Sequence, residues 1–258
     1  MSKEYIIPKL TVVGTGPGDA DLITVKGIHA LSEADVVLYD EHVNTELLKY
    51  APYASKKVFI GNRKGHQAYT QEQINVLVTD YAFTHGHVVR LKGGDAFEFE
   101  NGIEEIEHAR LFNIDTAFVP GLSGFISIAG LQQIPVFHRG ISSGLWVLNA
   151  IHSEGKLQQD IHLAAKSSGT VIILSGLSRL LEIVGIYQSY EKGYVPVAVI
   201  QNGSLPSENI AYGSIDTIVD AVQHEGFTSS AIIIIGEVVR KNPQAAYQLA
   251  LENLLFNQ

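Results

Sequence analysis

The chain has 258 residues, of which 46% are hydrophobic and 17% charged, a formal net charge of −9, and no cysteine. This length supports one large or two modest domains, and the composition excludes a mainly disordered chain. The missing cysteines exclude a disulfide framework and any thiolate nucleophile or metal site, and the acidic balance argues against nucleic acid as a partner.

Short apolar runs alternate with longer amphipathic stretches. Strands are predicted at 10–13, 36–39, 57–60, 88–91 and 117–119, with helices at 22–31, 71–84 and 102–112 between or after them. This alternation predicts a mostly parallel sheet with helices on both faces. The rhythm pauses near Ile134-Pro135-Val136-Phe137-His138-Arg139-Gly140 and resumes with strands at 145–149, 170–174, 195–200 and 231–235. Helices are predicted there at 157–165, 178–187 and 215–223, and an amphipathic tail over 244–258 reads as a terminal helix. Two domains follow, 1–130 and 131–258. The second has few charged residues at its strand ends and reads as a lid and specificity wall. The first residues lack a signal-peptide core, and runs such as Ala231 to Ile235 are far too short to span a bilayer, so no membrane partner and a cytoplasmic location are expected.

Two glycine motifs stand at the carboxyl ends of predicted strands, where α/β sheets bind ligands. They are Gly14-Thr15-Gly16-Pro17-Gly18-Asp19 and Arg90-Leu91-Lys92-Gly93-Gly94-Asp95. The first departs from the dinucleotide fingerprint. Its glycines run G-x-G-x-G, Pro17 has no N–H, and the Asp19 carboxylate repels phosphate. A dinucleotide site, a tight structural turn and a site for another adenosyl ligand remain open on these residues alone. Lys56, Lys57, Arg63, Lys64, Arg90 and Lys92 form a basic segment, readable as an anion site or as a solvated face. Asp40 closes its strand as a turn acid or as an acid/base group.

The ordered motifs carry a resemblance. Val13 to Asp19 is followed by Ala34-Asp35-Val36-Val37-Leu38-Tyr39-Asp40, Gly61-Asn62-Arg63, Gln71 to Asn75, Val89 to Asp95, Val119-Pro120-Gly121 and His138-Arg139-Gly140. Pro196 to Gly203 and Ile235 to Val239 complete the series. The chain resembles the tetrapyrrole methylases, above all the branch that methylates uroporphyrinogen-III. The resemblance implies two α/β domains of the tetrapyrrole methylase type with the active site in the cleft between them, and a homodimer. It implies S-adenosyl-L-methionine as methyl donor, S-adenosyl-L-homocysteine as product, and C-methylation of uroporphyrinogen-III or a related tetrapyrrole on the way to sirohaem or cobalamin. By position, Pro17, Gly93, Gly94, Asp95, Glu98, Ser123, Gly124, Ser175 and Gly203 would line the cofactor. Asp40 and Glu104 would be catalytic, and Arg63, His66, Asn101 and Arg139 would meet the carboxylate-rich substrate.

The chain also departs from the family pattern inside the implied site. Asn62 replaces a lysine, Asn101 an arginine and Ser175 a methionine, while Glu41, Glu98 and Glu100 add acids. These changes remove positive charge beside a pocket meant for carboxylates. They leave room for a methyltransferase acting on a less anionic acceptor, or for a protein that binds S-adenosylmethionine without catalysis.

Overall fold

A computed structural model describes residues 6–62, 69–98, 101–152, 154–228 and 231–256. The chain divides into two compact units, Met1–Gly124 and Phe125–Gln258.

The first unit is built on five strands: β1 (Lys9–Gly14), β2 (Val36–Tyr39), β3 (Lys56–Phe59), β4 (His87–Lys92) and β5 (Asp115–Val119). They pair in the order β3-β2-β4-β1-β5, and every pairing is parallel. All five carboxyl ends therefore meet one edge of the sheet. The helices are α1 (Val25–Ser32), α2 (Gln71–His85) and α3 (Asn101–Leu111). Thr24 caps α1, and Thr70 with Gln73 forms a capping box on α2, so both starts are fixed by side chains that satisfy otherwise orphaned N–H groups. One sheet face packs Leu10, Val12, Leu38 and Val88 against Val78 and Ala82 of α2 and Ile106 and Ala109 of α3. The other packs Val13, Val37, Val89 and Leu91 against Leu31 and Leu47. With both faces covered, these strands are near-continuous apolar runs, which is why they stand out in the sequence.

The second unit begins within the first turn of α4 (Gly124–Leu131). It holds β6 (Leu145–Asn149), α5 (Asp160–Lys166), β7 (Thr170–Leu174), α6 (Leu180–Ser189), β8 (Pro196–Gln201), β9 (Asn209–Ser214), α7 (Ile218–His224), β10 (Ala231–Ile235) and α8 (Pro243–Phe256). The strand order is β6-β7-β10-β8-β9. Only β6 and β7 run parallel, whereas β10 is antiparallel to both β7 and β8, and β8 to β9. The mostly parallel expectation thus fails in this half. A short all-apolar strand such as Ala231-Ile232-Ile233-Ile234-Ile235 packs on both faces in either direction, so its sequence does not encode orientation. The strand β9 also escaped prediction, because Asn209-Ile210-Ala211-Tyr212-Gly213-Ser214 has no clean alternation. Among the described residues no helix is long and apolar enough to cross a membrane.

Candidate functional site

The loops that follow β1, β4 and β5 interlock at the carboxyl edge of the parallel sheet. The Gly16 N–H donates to the Gly94 carbonyl at 3.1 Å and the Gly94 N–H to the Gly16 carbonyl at 2.7 Å. The Thr15 N–H and hydroxyl both donate to the Lys92 carbonyl, at 2.8 and 2.9 Å. A Cβ on Gly14 would lie 2.6 Å from the Gly121 nitrogen and 2.7 Å from the Gly94 oxygen, so the backbones touch where no side chain fits. Gly16 and Gly94 also take φ of +83° and +67°, a region that strains residues carrying a side chain. Asp95 fastens the assembly. Its carboxylate accepts the Phe97 N–H at 2.8 Å and the Gly121 N–H at 2.9 Å. The Asn44 amide donates to the Gly18 carbonyl at 3.0 Å and pins the Pro17 loop from the β2 side.

This architecture bears on the ligand classes left open by the sequence. Pro17 offers no N–H, the Asp19 carboxylate caps the following turn through the Asp21 N–H at 2.9 Å, and Asp95 faces backbone donors. The Gly16, Gly94, Phe97 and Gly121 N–H groups are already taken by protein acceptors, and two carboxylates stand at this edge, so a pyrophosphate is poorly served. Beside it, Gly124 opens α4, and beyond its own chain neighbours and helix backbone no described residue comes within 4 Å of an added Cβ. A bare, uncrowded backbone next to half-buried Pro17, Gly93 and Gly94 fits a neutral or cationic ligand such as an adenosyl sulfonium.

The charged groups form a second layer beneath the loops. Leu38 on β2 and Val12 on β1 stand in register with Arg90 on β4, so the Arg90 side chain emerges among apolar neighbours. It is 4% exposed, and its guanidinium meets Asp40 Oδ2 at 2.9 Å, Glu105 Oε1 at 3.4 Å and the Leu91 carbonyl. Lys92, two residues on along the same face, reaches Glu105 Oε1 at 3.0 Å. Burial pushes the Lys92 ammonium pKa down, and the Glu105 carboxylate opposes that shift. The other Asp40 oxygen accepts the His42 N–H at 3.1 Å, which closes a turn after β2. The basic segment read from the sequence therefore splits. Arg90 and Lys92 are internal and neutralised by acids, while Lys56 stands 4.6 Å over the Tyr81 ring and Lys57 donates to the Pro52 carbonyl at 3.2 Å.

The other candidates are distributed as follows. Asp40, Pro17, Gly93, Gly94, Asp95 and Glu98 gather at the sheet edge just described. Ser123 and Gly124 follow β5. Glu104 lies on the exposed face of α3, and its neighbour Glu105 is the buried acid. The stripe Gly102, Glu105, Ile106 and Ala109, spaced by three and four residues, faces the sheet. That spacing is the signal in the sequence that Glu105, and not Glu104, faces inward. Arg139 is exposed and lines a cavity of about 570 Å³ in the second unit, together with Phe137, His138, Ser142, Ser143 and Ser168. Ser175 follows β7, exposed, with φ of +54°. Gly203 follows β8, where a Cβ would sit 2.6 Å from Ile128 Cγ2, so packing on α4 already explains that glycine. Arg63 and His66 lie outside the described residues, and of Asn101 only the backbone, at the start of α3, is described. Glu41, one of the added acids, accepts the Asn62 N–H at 3.0 Å.

Residues 9–219 match the family of tetrapyrrole (corrin/porphyrin) methylases. A uroporphyrinogen-III C-methyltransferase of Methanocaldococcus jannaschii is 36% identical over 233 residues, which cover 90% of this chain and 96% of the relative. One from Bacillus subtilis is 34% identical over 233 residues, covering 90% and 91%. Among solved structures, a uroporphyrin-III C-methyl transferase from Thermus thermophilus complexed with S-adenosylhomocysteine matches with a TM-score of 0.74 at 30% identity, over 90% of this chain and 99% of that one. The chain belongs to the tetrapyrrole methylases.

Proposed function

We propose that this chain transfers a methyl group from S-adenosylmethionine to a pyrrole carbon of uroporphyrinogen-III or a closely related tetrapyrrole. The observation that carries the proposal is the intact, glycine-lined carboxyl edge of the parallel sheet in a chain aligned almost end to end with uroporphyrinogen-III C-methyltransferases. When bound, the sulfonium supplies a methyl group that is already activated. The chain's own residues then have three tasks: to align the acceptor carbon, to hold its carboxylates and to take the proton that the methylated ring releases.

Alignment can account for ~7–11 kcal/mol of a barrier of this kind, so rigid loops matter more than a reactive side chain. The Gly16–Gly94 and Asp95–Gly121 bonds supply that rigidity. Pro17, Gly93, Gly94, Ser123 and Gly124 would hold the donor through backbone and shape. Arg139, exposed beside a cavity lined with hydroxyls, is suited to carboxylates, which a planar guanidinium binds in pairs of hydrogen bonds. Asp40 would accept the ring proton. We also propose a homodimer in the cytoplasm, as the family resemblance implies, to be checked by sedimentation and by fractionation.

A second reading, an acceptor with fewer carboxylates, draws on two acids at this edge. Glu41 stands beside Asp40, and Glu98 reaches to within 3.5 Å of where a Gly94 Cβ would be. The test is calorimetric titration with S-adenosylhomocysteine followed by anaerobic methyl transfer to uroporphyrinogen-III, watched by absorbance. Binding with a coloured methylated product supports the first reading. Binding without product moves the weight to another acceptor or to a silent binder, and no binding removes the methyltransferase reading.

A further inference from the structure

Three charged side chains, Arg90, Lys92 and Glu105, lie between α3 and the parallel sheet and meet a fourth, Asp40, at the sheet edge; only Asp40 has a place in the chemistry above. Arg90 and Glu105 are 4% and 1% exposed. The Arg90 guanidinium spans two elements. Through one nitrogen it holds Asp40 at the end of β2, and through another it contacts Glu105 on α3. The Glu105 oxygen that faces Arg90 also receives Lys92, while its other oxygen is buried and has no hydrogen-bond partner among the described residues. Two acids and two bases make the cluster neutral.

Such a cluster is a costly way to stabilise a fold. Burying ions costs more than apolar packing of the same volume usually does, and a carboxylate oxygen left without a donor adds to that cost. What the cluster does provide is position. Of the Asp40 oxygens, Oδ1 is occupied by its own turn and Oδ2 by Arg90, so the carboxylate plane is fixed from both sides. Arg90 in turn cannot swing away, because Glu105 and the Leu91 carbonyl hold its other nitrogens.

We infer that Glu105 is a positioning residue: acting through Arg90, it aims the Asp40 carboxylate at the proton it removes. This rests on the reading of Asp40 as the base in methyl transfer. Lys92 also holds Glu105, so the chain of contacts runs Lys92–Glu105–Arg90–Asp40 across β4, α3 and β2. The sequence also places Arg90 and Lys92 on one face of β4, and Glu105 on the sheet-facing stripe of α3, without reference to any ligand.

The experiment is a double-mutant cycle on the full chain, using D40N, E105Q and the pair, with transfer of a radiolabelled methyl group to uroporphyrinogen-III as readout. Binding of S-adenosylhomocysteine and the melting temperature report on folding. E105Q is expected to lower kcat by about 10- to 100-fold, the cost of a small misplacement, with KM and S-adenosylhomocysteine affinity within about twofold of the parent. The pair should be no slower than D40N alone, because a residue that acts through Asp40 has nothing left to aim. R90K serves as a second variant: one ammonium cannot make both contacts, so kcat should fall while binding stays. If D40N loses activity but E105Q has the parent kcat, or if the two losses multiply, the inference is overturned and the reading of Asp40 stands. If D40N itself keeps the parent kcat, the reading of Asp40 falls and the inference with it. An E105Q variant that melts far lower and loses S-adenosylhomocysteine binding, alongside an R90K variant with unchanged kcat, shows a structural role only and also overturns it.

Discussion

The two sheets differ in where they keep charge. Strands β6 to β10 contain no Asp, Glu, Lys or Arg, whereas β1, β3, β4 and β5 all do, and β2 ends against Asp40. Direction accounts for the cluster of Arg90, Lys92 and Asp40 at the carboxyl edge, whereas Lys9, Lys56, Lys57 and Asp115 stand at the amino ends of their strands. A fully parallel sheet delivers every carboxyl end to one edge, so loops and charges from distant parts of the sequence converge there. In the mixed sheet β10 and β9 run against their neighbours, the carboxyl ends are divided between both edges, and the strands serve mainly as core. The polar groups of the second unit lie instead in a loop region, around Arg139 and the hydroxyls of Ser142, Ser143 and Ser168.

The harshest way to break this comparison is to make β4 resemble β8. R90M leaves Asp40 and buried Glu105 without their shared cation, and stability should fall by ~3–5 kcal/mol, the usual cost of removing one partner from a buried pair. Denaturant unfolding would measure it. If R90M is as stable as the parent, the charges beneath the loops are dispensable to the fold and the contrast between the sheets loses its energetic content. Adding K92L and E105L to R90M should recover part of the loss, since no uncompensated ion then remains on the α3 side.

The difference between the sheets also decides what could be read from the sequence. Parallel strands buried on both faces are short apolar runs bounded by turns, and those of the first unit were found to within a residue or two. The glycines of the first motif were recognised as bare backbone at strand ends. Their partners were not, because Gly14 meets Gly121 and Gly16 meets Gly94 across the sheet, and tertiary neighbours leave no local trace. Asp40 stands out by its place after β2, while its partner Arg90 reads in the sequence only as part of a basic segment, an anion site or a solvated face. Family position points to Glu104, while the helical stripe with Gly102, Ile106 and Ala109 marks Glu105 as the inward acid. Strand direction in the second unit was not legible at all, since an unbroken apolar run fits either orientation.

Next in size are the glycines at the sheet edge, which separate backbone contact from open space. In G121A the new methyl group would overlap the Gly94 carbonyl oxygen and lie 2.7 Å from the Gly14 carbonyl carbon. Neither is a flexible side-chain end. Stability should fall by ~1–3 kcal/mol, with weaker S-adenosylhomocysteine binding because the same loops move. G124A meets no described residue within 4 Å beyond its own neighbours in the chain and helix, and alanine in a helix is favoured over glycine by ~0.5–1 kcal/mol. The melting temperature should hold or rise while affinity for S-adenosylhomocysteine falls. If affinity is unchanged, the open backbone at Gly124 is not where the donor lies.

The smallest effect is a slope, and it concerns the opposite edge of the parallel sheet. His87 opens β4 and is 8% exposed. Its N–H donates to Asp35 Oδ2 at 2.7 Å, Nδ1 lies 3.0 Å from the Glu33 carbonyl, and Nε2 lies 2.7 Å from the Thr11 hydroxyl. A carbonyl only accepts, so Nδ1 carries the hydrogen, and neutral Nε2 takes the Thr11 proton. Burial lowers the His87 pKa, and Lys9 adds to the shift, while the Glu33 carbonyl and the Glu33 and Asp35 charges oppose it. The folded chain therefore binds this proton less readily than the unfolded one. The contribution of His87 to stability is complete above the unfolded value of about 6.5 and is lost as pH falls below it, at no more than about 1.4 kcal/mol per pH unit. Melting temperatures of the parent should drop between about pH 7.5 and pH 5.5 more steeply than those of H87Q, whose side chain does not titrate. The exposed histidines His29, His85 and His224 are common to both proteins, so they cancel in the comparison. Equal slopes would mean that His87 is protonated in the fold without cost, and that the Thr11 hydroxyl accepts from it.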